Sequence, residues 1–195
     1  MRLESLVRHS AAALTVVLLA AFVAGCGSTT KASDAPGATR TFRNGFLALG
    51  YPAAWKPGVF KITGTLHFAP MLYLSSQALH APCHARQTST VCGWPVDRLE
   101  PGSMLVVWEN RGYPGWSLDA ISGRPLTVGG REAKQMVTQP GRCSAIGADV
   151  TIAVAIARPI PNNWTAVTAC LKGPGLGKSK RELDALLASM RFLSR

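Results

Sequence analysis

Asp149-Val150-Thr151-Ile152-Ala153-Val154-Ala155-Ile156-Ala157-Arg158 is the stretch on which the reading of this chain turns. Ile152, Val154 and Ile156 recur at every second position, with Thr151, Ala153, Ala155 and Ala157 between them. A period of two puts the branched residues on one face of a strand and the small ones on the other. Pro159–Asn163 turns the chain, and Trp164–Leu171 comes back antiparallel.

Upstream, Arg124–Val128 runs into Gly129-Gly130, a hairpin signal, and Arg131–Gln139 returns as a mostly polar strand. Met104–Trp108 (MLVVW) is a continuous apolar run of strand length, suited to a central position buried on both faces. Asn44–Tyr51, Val59–Ile62 and Thr65–Ser75 read as earlier strands, broken at Pro52, Gly64 and Pro70. Residues 76–102 read as a long loop punctuated by Pro82, Gly93, Pro95 and Pro101.

At the other end, Ser179 stands three residues before Glu182, the spacing of a capping box, so a helix is expected to start there. Leu183, Leu186, Leu187 and Met190 follow at helical spacing and define one stripe to be buried. The fold class expected is α+β, an antiparallel β-sheet with a C-terminal helix packed on one face. The strand ending in YPAAW (51–55), the turn TVGGREAKQ (127–135) and the run LLASMRF (186–192) resemble the Mog1/PsbP-like domain. That family packs an antiparallel sheet between helices and occurs in many small actinobacterial lipoproteins. The resemblance covers most of residues 44–193 and implies a binding or assembly scaffold without shared catalytic residues. This chain departs from it in its few helices before residue 178 and in its four cysteines.

The N-terminus carries a different message. Arg2 and Arg8 precede an unbroken apolar segment from Val16 to Ala24, and Val23-Ala24-Gly25-Cys26 closes it. A basic region, a greasy core and a small-residue cleavage site make a secretory signal. With cysteine at the cleavage point, it resembles the lipobox of bacterial lipoproteins. The resemblance implies that Cys26 takes diacylglycerol and becomes the first mature residue, on the extracytoplasmic face of the cell membrane. Two acyl chains hold stably at about 0.8 kcal/mol per buried methylene, and the run from Ala11 to Ala24 is short of the roughly 20 residues a span needs. The expected organisation is a signal peptide over 1–25, lipidated Cys26 with a flexible tether over 26–40, and a single α+β domain over 41–195. The tether follows from composition, since residues 27–40 hold no large apolar side chain.

The chain carries a formal net charge of +11, and losing Arg2, Glu4 and Arg8 with the leader leaves it strongly basic. Export removes nucleic acid as a partner, so the basic surface suits anionic headgroups or wall polymers. Beyond Cys26, an even set of cysteines (Cys83, Cys92, Cys143 and Cys170) points to disulfides in an exported domain. Of the three pairings, Cys83–Cys92 and Cys143–Cys170 are expected because each joins neighbours on one loop or hairpin. In the chain-entropy model they contribute about 2.7 and 3.6 kcal/mol.

Candidate chemistry is sparse, and no cofactor or metal is expected. Gly173–Ser179 (GPGLGKS) imitates a phosphate loop, but Lys172 occupies the first glycine position, and a glycine-rich entry to the helix explains it. His80, Cys83, His84 and Cys92 match no common metal spacing, and export favours a disulfide-stapled loop. His67 reads as a histidine packed in an apolar strand. Ser144 in GRCSA lacks the nucleophile elbow, and Ser28-Thr29-Thr30-Lys31 imitates S-x-x-K inside the tether. Arg111, Tyr113 and Trp116, in a Gly/Pro-rich loop, are the ligand-binding candidates, an aromatic face for a glycan, lipid or envelope protein. A packed corner is the structural account of the same three residues, and Trp55, Trp94, Trp108 and Trp164 read as core or half-buried.

The function expected is a non-enzymatic binding or assembly module of the cell envelope, taking a partner protein or an apolar ligand. The rival is an extracytoplasmic serine hydrolase using Ser144 with His67, His80 or His84. The anchor has its own test: Cys26→Ser should move the protein from the membrane fraction to the soluble one. Retention of that variant in the membrane, with its N-terminus unprocessed, would replace the lipid by a spanning segment.

Overall fold

A computed structural model describes residues 37–62, 67–85 and 90–193. The signal peptide, Cys26 and the tether as far as residue 36 lie outside the described residues. Twelve strands are described: β1 (Thr39–Arg43), β2 (Leu47–Pro52), β3 (Lys56–Gly58), β4 (Phe68–Ser75), β5 (Cys83–Ala85), β6 (Thr90–Cys92), β7 (Met104–Gly112), β8 (Arg124–Val128), β9 (Arg131–Thr138), β10 (Val150–Ala157), β11 (Asn163–Leu171) and β12 (Arg191–Phe192). One α-helix, α1 (Leu176–Ser189), is described, together with 3₁₀ helices at Leu118–Ala120 and Gly141–Ile146.

Seven strands form the main sheet in the order β3-β4-β7-β11-β10-β9-β8, every pair antiparallel. β7 lies inside it, and Met104 to Trp108 are buried on both faces, as a continuous apolar run requires. The hairpin between β8 and β9 pairs Val128 with Arg131, leaving Gly129 and Gly130 as a two-residue turn with φ of 57° and 77°. Positive φ at both central residues is what such a turn demands, and glycine meets it without strain. β4 is irregular where expected, with a register shift between Pro70 and Leu72.

One face of the main sheet is covered. Leu183, Leu186, Leu187 and Met190 of α1 and its C-cap pack with Ile152, Val154, Ile156, Val167 and Leu171, and the small sheet β1-β2-β12 adds Leu47, Leu49 and Tyr51. Lys180, Arg181 and Asp184 stay exposed on the helix's outer side. The Ser189 hydroxyl accepts the Gly50 N–H at 3.0 Å, tying the end of α1 to β2. A second core lies on the opposite face, where Tyr73, Leu105, Val107 and Cys170 meet Val96, Leu99, Cys143, Ile146 and Ala148. Two disulfides are present, Cys83–Cys92 across β5 and β6, and Cys143–Cys170 between the second 3₁₀ helix and β11.

Details of the architecture differ from the expectation, and Arg111, expected in a loop, lies in β7. The domain's first strand starts at Thr39 and pairs with β2. Residues 59–62 make no strand; Phe60 and Ile62 are held by packing on the second core, with Phe60 5.6 Å from the Tyr73 ring. The long loop contains the β5–β6 ribbon. Finally, Ser179 is not a cap. The helix starts four residues earlier, its cap being Gly175 at φ 94°, and the Ser179 N–H already donates to the Gly175 carbonyl. Ser179 is a buried interior residue, and Glu182 faces Lys178 at 3.7 Å instead.

The entry to α1 is fixed by Asp149, whose carboxylate accepts the Lys172 ammonium at 2.7 Å and the Gly173 N–H at 2.9 Å. These bonds hold its carboxyl below the usual range.

Two substitutions test this docking. Leu186→Ala should lose about 2–5 kcal/mol through transfer and cavity terms, a clear fall in the thermal midpoint. Gly175→Ala should lose about 1–2 kcal/mol from the left-handed backbone alone, because a Cβ there meets nothing within 4 Å. A midpoint unmoved by Leu186→Ala would mean that α1 does not dock.

Candidate functional site

The second core leaves part of its face uncovered. There β10 turns Thr151, Ala153 and Ala155 outward, and β11 sets Ala166 and Thr168 beside them, with Ala155 opposite Ala166. Their large neighbours, Ile152, Val154, Ile156 and Val167, point the other way into the helix-covered core. Small side chains in the middle of a sheet leave a trough. Its space is about 450 Å³, bounded by Met136 and Thr138 of β9, by Ile121, by Trp116 and Trp164, and by Arg111 and Arg142.

The walls are positioned by identifiable contacts. Trp116, in the loop after β7, stacks on Trp164 of β11 with ring centroids 4.4 Å apart and planes 9° from parallel. The 3₁₀ helix that carries Arg142 is fastened to β10 through Thr151, whose hydroxyl donates to the Pro140 carbonyl and accepts the Cys143 N–H. The Cys143–Cys170 disulfide fastens the same helix to β11.

Beside the trough lies a buried carboxylate. Glu109 of β7 has a side chain only 5 % exposed, and its Oε2 accepts both the Nε and an Nη of Arg111. Arg142, 55 % exposed, approaches the same oxygen at 3.7 Å and lies 5.6 Å from the Trp94 ring. A carboxylate this buried needs charge-assisted donors to replace its lost hydration. The same carboxylate acts on Tyr73, whose hydroxyl is pushed up to about 12, by burial first and then by Glu109, with Arg142 opposing.

The three residues singled out from the sequence therefore part company. Arg111 and Trp116 both line the trough, whereas Tyr113 lies outside its lining, 59 % exposed and 5.4 Å from the His67 ring. His67 is not packed in a strand: it is exposed in the turn before β4, its Nδ1 3.1 Å from the Gly112 carbonyl oxygen. Ser144 is exposed on the second 3₁₀ helix and makes no hydrogen bond to a histidine among the described residues. His80 lies 3.3 Å from Asp97 and near His84, while Cys83 and Cys92 are bonded to each other. Among the described residues no three His, Cys, Asp or Glu side chains converge on a common point.

Arg142, Glu109 and the alanine floor escaped sequence reasoning, although the alternation of large and small residues in β10 was a signal for the floor. No protein-family model matches the chain, and no curated protein matches it in sequence.

Glu109→Gln keeps the shape and removes the charge that Arg111 and Arg142 face. Hydrogen bonds to charged groups contribute about 1.5–3 kcal/mol, and Arg111 can still reach water, so the loss should stay below the ~3–5 kcal/mol of a fully buried pair. A lower urea midpoint at constant slope is the expected result; an unchanged midpoint would show that the carboxylate is not held as described.

Proposed function

We propose that this protein is a non-enzymatic, membrane-anchored lipoprotein of the cell envelope whose domain binds an apolar small molecule, foremost an acyl chain, in the trough over Ala153, Ala155 and Ala166. The observation that carries this reading is the trough itself, an apolar concavity left on a sheet face that is otherwise covered. Its 450 Å³ falls within the roughly 300–1,000 Å³ usual for small-ligand sites. A docked protein would instead need about 800 Å² of complementary surface on each partner. The stacked Trp116–Trp164 pair offers a flat apolar wall at little entropic cost, since neither ring has to be ordered on binding.

A diacylglycerol anchor on Cys26 would keep such a site at a membrane surface, where acyl chains are the abundant apolar groups. The lipobox supports that location, and the basic charge of the chain suits an anionic surface. The Mog1/PsbP-like resemblance of the sequence implies a binding scaffold, and the antiparallel sheet with a docked C-terminal helix is the part of that expectation on which this reading draws. On this reading the trough is a holding site and no bond is made or broken in it.

A neutral naphthylamine dye, which fluoresces on leaving water, provides the test. The full chain should raise its fluorescence saturably. Ala155→Trp, which puts an indole into the trough, should weaken binding by at least about tenfold while the thermal midpoint is kept. Undiminished dye binding by a folded Ala155→Trp variant would refute the assignment.

A further inference from the structure

Resting on the trough being a ligand site, we infer that its ligand is a fatty carboxylate, its headgroup held by Arg142 at the rim and its chain laid over the alanine floor toward Trp164. The charge count at the rim carries the inference. Two guanidiniums, Arg111 and Arg142, border the trough, and no acidic side chain lines it among the described residues. One carboxylate, Glu109, lies outside the trough's lining, in the wall of a neighbouring cavity that Arg142 also lines, and it is committed to Arg111 through two donors of the same fork. Arg142 gains only a 3.7 Å approach to it, beyond the roughly 2.7–2.9 Å of a charge-assisted hydrogen bond. Its side chain hydrogen-bonds no described residue. The rim therefore keeps one net positive charge and a planar fork of donors.

That fork is not adrift. The Trp94 ring lies 5.6 Å from it, and the 3₁₀ helix beneath it is tied to β10 and β11 by Thr151 and by the disulfide. A guanidinium carried on a tied-down segment beside an apolar trough matches an ion with one planar anionic end and an apolar remainder. A carboxylate fits the fork edge-on through two parallel N–H···O bonds. With it in place, two carboxylates and two guanidiniums balance. Glu109 thus has a second role, occupying Arg111 so that only Arg142 is offered to the headgroup.

Three twelve-carbon probes separate the possibilities by calorimetry on the full chain at neutral pH: laurate, dodecanol and dodecyltrimethylammonium. Laurate should bind at least about tenfold tighter than dodecanol, and the cationic probe weakest of the three. Arg142→Gln should bring laurate to within about twofold of dodecanol without changing dodecanol itself. Lys180→Gln, which removes an exposed charge from the outer side of α1, should change neither. Equal binding of laurate and dodecanol, or a laurate preference that survives Arg142→Gln, overturns the headgroup assignment and leaves the trough reading intact. So does an equal loss with Lys180→Gln, which would reduce the effect to general attraction. Binding of none of the three probes overturns both.

Discussion

A seven-stranded sheet has two faces, and among the described residues one α-helix is there to cover them. Everything in the domain follows from how that shortage is met. The branched residues of β10 and β11 are gathered on the helix side, where α1 and the small sheet exclude water. Burial of this kind contributes about 25 cal/mol per Å² of apolar surface, and it is concentrated where Leu183, Leu186 and Ile156 meet. The other face is closed only in part, by residues around Val96, Leu99 and Ile146, and a disulfide ties that cover to β11. Where that cover ends, the sheet shows alanine and threonine. Small side chains there leave the trough.

The polar chemistry is a consequence of the same boundary. Glu109 sits on β7 at the edge of the second core, too buried to be hydrated and therefore in need of donors. Arg111 comes from the same strand two residues on. Arg142 comes from the covering segment, so its approach to Glu109 also spans the join between cover and sheet. One carboxylate between two guanidiniums stabilises the join without neutralising it. The residual charge and the apolar floor then face the same space.

Much of this was legible in the residues and some was not. The alternation in β10, the Gly129-Gly130 turn, the apolar run of β7 and the leucine stripe of α1 are local patterns, each set by one element's period. The pairing of Cys83 with Cys92 was legible because neighbours on one hairpin are close whatever the rest of the fold does. Ser179 misled because S-x-x-E also arises within a helix, and the actual start depends on Gly175 and on Asp149, twenty-six positions before it. The trough was illegible because it is assembled across the sheet: its floor comes from β10 and β11, and its rim from Trp116 and Arg142 in separate connections. No spacing along the chain records that Trp116 will stack on Trp164.

The central claim is that an apolar ligand occupies the small-residue face of the sheet and not the helix-covered one. Alanine-methyl NMR on the full chain, titrated with laurate, reads this directly. Ala153, Ala155 and Ala166 should shift together and saturate, while Ala48, Ala133 and Ala169 on or near the helix-covered core stay in place. Shifts confined to the latter set, or spread evenly over both, would contradict the account.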